Sequence, residues 1–120
     1  MKSKIALITL LVFVLSFALM TINAQDKTKK DGKTVFVESK CVTCHTINIF
    51  DLKPEKKPKL KETPPDLSYI GDEFKADFIM KWVTKKVKLH GEKHPFKYEG
   101  TDEDLTILAN WLESLKKPKK

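Results

Sequence analysis

Cys41-Val42-Thr43-Cys44-His45, CVTCH in one-letter code, is the stretch on which the reading of this chain turns. Two cysteines separated by two residues can hold zinc, cycle as a dithiol, close a disulfide or anchor a porphyrin. A structural zinc takes four protein ligands. After His45 the next histidine is His90, far outside finger-like spacing. A thioredoxin-type pair expects βαβ surroundings, and no stretch of this chain alternates apolar and polar residues as a strand would. A disulfide between such close neighbours would close a very small loop and stabilise little. The remaining reading uses both cysteines and the histidine. Cys41 and Cys44 bond the two vinyl groups of one haem through sulfur, and His45 brings an imidazole nitrogen to its iron.

The beginning of the chain agrees with that chemistry. Lys2 and Lys4 form a basic head, Ile5 to Met20 is an unbroken run of apolar and small residues, and Thr21-Ile22-Asn23-Ala24 follows. This is the layout of a secretory signal peptide. The run falls short of the roughly 20 apolar residues that a spanning helix needs. The expected organisation is therefore a signal peptide over residues 1–24, cut after Ala24, and one domain over residues 25–120. Export to the periplasm follows, with a membrane anchor as the outcome if the leader is kept and no stable insertion once it is removed.

The 120 residues carry 23 basic side chains, every one a lysine, against 16 acids, for a net charge of +7. Bidentate phosphate and base recognition favours arginine, so this basicity argues against nucleic acid and for steering toward an acidic partner protein.

Outward from the cysteines, Asp31 to Lys40 reads as a short helix, with Gly32 and Phe36 on one face. Thr46 to about Leu67 holds Pro54, Pro58, Pro64 and Pro65 with Lys53, Lys56, Lys57, Lys59 and Lys61 among them, which reads as a long basic loop. Phe74, Phe78 and Trp82 recur every fourth residue, predicting a helix from Asp72 to about Val87, with acids at its start and lysines at its end. A second loop, Leu89 to Gly100, contains His90 and His94. The last helix is expected from Thr101, an N-cap residue, with Leu105, Leu108, Ala109, Leu112 and Leu115 on its buried face and Pro118 past its end. The fold class is all-α, three main helices separated by long loops. So much irregular backbone needs something large to pack against.

These features together resemble the small class I, single-haem cytochromes c, over essentially all of the chain after the leader. Gly32-Lys33-Thr34-Val35-Phe36 is similar to the family's Gly-x-x-x-Phe, and Leu108-Ala109-Asn110-Trp111-Leu112 to its last-helix segment. The resemblance implies a fold wrapped around one covalently attached haem c, with Gly32 allowing close helix approach and Phe36 meeting Trp111. Pro65-Asp66-Leu67 resembles Gly-Pro-x-Leu with Pro64 in place of the glycine, and implies that the Pro65 carbonyl orients His45. The family's usual second ligand is a methionine ahead of the last helix. Lys93-His94-Pro95-Phe96 stands there instead. His94 is the expected second ligand, its extended backbone favoured by Pro95. His90, Met80 (read as core filler) and an open iron are the rivals.

The implied function is one-electron transfer in an exported compartment to an acidic redox partner protein. The alternatives are a haem-based small-ligand sensor or the electron-transfer subunit of a larger oxidoreductase complex. No carboxylate pair, activated serine or phosphate loop stands out, so no independent catalytic activity is expected.

Overall fold

The first helix, α1 (Gly32–Glu38), begins where the Asp31 carboxylate accepts a hydrogen bond from the Thr34 amide, 2.7 Å away. It ends at Ser39, after which Lys40 takes a left-handed conformation (φ 60°) and turns the chain into the cysteines. The computed structural model describes residues 29–120. The expected leader and its cleavage point lie outside the described residues.

The second helix, α2 (Ala76–Val83), is shorter at both ends than the expected Asp72 to Val87. Lys75 is extended (φ −87°, ψ 157°), so Asp72 and Glu73 do not belong to its first turn. Asp72 instead closes a short 3₁₀ turn, Ile70–Asp72, and its carboxylate accepts from the Lys117 amide at 3.1 Å. At the far end the Lys86 amide reaches back to the Lys81 carbonyl (2.8 Å) and the Lys85 amide to that of Trp82 (3.0 Å). This is the double closure that commonly stops a helix, here with Lys85 (φ 60°) in the position that glycine usually takes. The lysines at positions 85, 86 and 88 thus lie beyond the helix.

The third helix, α3 (Asp102–Ser114), follows the expectation closely. The Thr101 hydroxyl accepts from the Asp104 amide at 3.1 Å. Leu105, Leu108, Ala109, Leu112 and Leu115 are all buried, joined in the core by Val35 and Phe36 of α1 and Ala76 and Ile79 of α2. Phe36 meets Trp111 with ring centres 5.9 Å apart, and a Cβ at Gly32 would overlap the Cβ and Cγ of Trp111. Helices α1 and α2 both pack on α3. Met80 lies partly buried against this core.

No strand occurs among the described residues, only isolated bridges. The chain after the cysteines contributes Ile47, Leu67 and Ser68 to the interior, whereas residues 84–100 contribute no buried side chain.

Candidate functional site

Residues 41–45 form a tight turn because the Cys41 carbonyl accepts from both the Cys44 amide (3.1 Å) and the His45 amide (2.9 Å). The Thr43 hydroxyl donates to the Lys40 carbonyl at 2.7 Å and braces the same turn. Both cysteines are free and half-buried. Burial pushes the Cys41 thiol up to about 11, so it is a neutral thiol at ordinary pH.

His45 follows directly, and its Nδ1–H donates to the Pro65 carbonyl oxygen at 3.2 Å. A carbonyl can only accept, so this contact places the proton on Nδ1 and leaves the Nε2 lone pair free. Burial holds the imidazole below its ordinary range, against the opposing pull of the Pro65 carbonyl, and the neighbouring His94 lowers it further. His45 is therefore neutral at neutral pH, the form that binds metal.

Pro65 is itself held by its neighbour. The Asp66 carboxylate accepts from the Ser68 hydroxyl (2.7 Å) and amide (3.0 Å), and from the Asn48 amide (3.3 Å) and side chain (2.6 Å). The Leu67 amide also donates to the Thr46 carbonyl at 2.8 Å. The segments after His45 and after Pro65 are thus sewn together directly beyond the carbonyl that orients the ring.

Across from His45 stands His94. The two rings lie 6.1 Å apart, centre to centre, with planes 18° from parallel. Nδ1–H of His94 also donates to a backbone carbonyl, that of Phe96, so Nε2 is again the free nitrogen. Two nitrogens bound to one metal atom from opposite sides, at about 2 Å each, put ring centres roughly 6 Å apart. The pair fits a single iron between them, and the free thiols beside His45 fit a covalently tethered haem.

His90 is exposed in a left-handed turn (φ 51°) between Leu89 and Glu92. Among the described residues no three or more His, Cys, Asp or Glu side chains come together as a metal cluster, so four protein ligands for zinc are not assembled there. Three participants escaped the sequence reading. The Phe96 carbonyl is backbone and carries no side-chain signal. Asp66-x-Ser68 is a turn pattern that could have been read. Trp82, read as one of an aromatic stripe, stands edge-on to His94 with centres 5.8 Å apart and planes at 82°.

A profile of the cytochrome c family matches residues 29–116. The chain belongs to the cytochrome c family. Its cofactor is haem c, covalently attached, and at the level of the family this cytochrome is a haem c-type electron carrier. No curated protein and no solved structure gives a significant match. Among the described residues of the cytochrome no helix is long and apolar enough to cross a membrane.

Proposed function

We propose that this cytochrome is an exported one-electron carrier whose haem is tethered by Cys41 and Cys44 and held between His45 and His94. The observation that carries the reading is the matched pair of imidazoles, each tied through Nδ1 to a backbone carbonyl, at 6.1 Å. Bound haem supplies one iron centre that gains or loses a single electron. The chain's part is to keep that change free of rearrangement. Pro65 and Phe96 hold both rings in one tautomer, and their hydrogen bonds raise the basicity of the nitrogens opposite. Two imidazoles leave no position for a substrate, and they set a lower potential than histidine with methionine. The basic-then-apolar beginning of the sequence supports export.

Exposed lysines at 53, 56, 57, 59 and 61 support docking to an acidic redox protein. The rate of electron exchange with such a protein is expected to fall as salt rises, and a salt-independent rate would remove that partner class.

The test of the ligand pair is the ferric EPR spectrum and carbon monoxide binding in wild type and His94→Ala. Wild type is expected to give a low-spin two-imidazole signal and, when reduced, to bind carbon monoxide poorly. His94→Ala is expected to lose that signal and bind carbon monoxide readily. A spectrum indifferent to the substitution would overturn the assignment.

A further inference from the structure

We infer that Trp82 is a positioning residue that fixes the plane of the His94 ring and, through it, the electronic symmetry of the haem iron; this rests on the two-histidine reading above. A hydrogen bond from Nδ1 to the Phe96 carbonyl selects the tautomer of His94. It does not fix the ring plane, because the ring can pivot about that contact. The second contact on the ring is the perpendicular one with Trp82, at 5.8 Å and 82°. Perpendicular aromatic pairs are a preferred arrangement, with the positive edge of one ring on the negative face of the other.

Two further bonds make Trp82 and His94 parts of one frame. The Tyr98 amide donates to the Val83 carbonyl at 2.8 Å, and Lys85 Nζ to the Pro95 carbonyl at 2.9 Å. The end of α2 and the turn after it therefore hold the backbone just beyond His94, at Pro95 and Tyr98. Trp82 is only half-buried, and among the described residues it belongs neither to the core cluster nor to the side chains packed against it, unlike Phe74 and Met80 of the same region. Core packing does not account for it; the His94 contact does.

The consequence is electronic. With imidazole planes 18° apart, both rings would donate into the same one of a bound iron's two dπ orbitals, which would split the pair. Crossed planes would leave the two orbitals nearly equal. The ferric EPR spectrum distinguishes these cases, as a well-resolved rhombic signal or a broad, strongly axial one.

The holo protein is compared as wild type, Trp82→Phe and Trp82→Leu, with circular dichroism as the control for folding. Wild type and Trp82→Phe are expected to give the rhombic signal, and Trp82→Leu a shift of intensity toward the axial one. A wild-type two-imidazole signal that Trp82→Leu leaves unchanged overturns this inference alone. A wild-type signal that ignores His94→Ala overturns the ligand assignment and this inference with it. Should Trp82→Leu not fold, nuclear Overhauser contacts between the Trp82 indole and the His94 ring in reduced wild type decide the matter: their presence upholds the contact, and their absence overturns it.

Discussion

Gly32 has almost nothing where a side chain would begin, and Trp111 occupies that space from its Cβ outward. Atoms so near the tryptophan backbone cannot swing aside as the tip of a flexible side chain can. Alanine ordinarily helps a helix by about 0.5–1 kcal/mol over glycine, whereas forcing an extra methyl into a packed contact costs about 1–3 kcal/mol. The second effect wins. Gly32→Ala is expected to destabilise the protein by about 1–2 kcal/mol, seen as a lower urea midpoint with an unchanged slope. An unchanged midpoint would mean that α1 and α3 can slide apart at no cost. This contact was legible in the sequence because it uses side chains at recognisable spacings, as did Cys41, Cys44 and His45. The partner of His94 was not. A backbone carbonyl such as that of Phe96 is carried by every residue, and only the path of the chain selects one.

Helix ends show the same division between what side chains announce and what tertiary structure supplies. α3 was readable because Thr101 caps it, a leucine stripe runs through it and Pro118 follows it. α2 is shorter at both ends than its sequence pattern predicts. Its start has no side-chain cap of its own; the carboxylate of Glu113, on α3, accepts from the Ala76 amide at 2.7 Å and from Lys75 Nζ at 3.1 Å. Its stop uses a left-handed lysine, which no composition rule picks out. The borrowed cap has a pH signature. The Ala76 amide first, then Lys75, hold the Glu113 carboxyl below the ordinary glutamate range. A group with a lowered folded-state pKa stabilises fully above its unfolded value, and loses that contribution as pH falls through the folded one. Glu113→Gln keeps an uncharged acceptor, so it should be less stable than wild type at neutral pH. The gap should close as pH drops below about 4.3, the unperturbed glutamate value. Urea midpoints of both proteins across that range test this, and a gap constant with pH would show that the carboxylate charge plays no part in the cap.

At the scale of the whole molecule, the two sides of the site are built unequally. The His45 side is tied into the interior by Ile47, Leu67 and Ser68 and by the bonds that converge on Asp66. The His94 side, residues 84–100, has no buried side chain. Among the described residues its attachments include the bonds from Lys85 to Pro95 and from Tyr98 to Val83, the partly buried Tyr98 ring against the core, and the placement of His94 itself. Local opening is easiest where buried apolar contacts are few, so a ligand bond at His94 would supply a large share of this segment's stability. His94→Ala in the holo protein is expected to accelerate amide hydrogen exchange in residues 86–100 by on the order of tenfold or more, equivalent to about 1.4 kcal/mol of lost local stability. The amides of α1 and α3, packed on each other, should keep their protection. Exchange measured by mass spectrometry on peptides from each region separates the outcomes. Acceleration confined to the loop makes the distal side a separate unit whose stability depends on the His94 bond. Equal acceleration everywhere would mean instead that the distal side and the helices open together, with His94 holding the entire fold and not one wall of it.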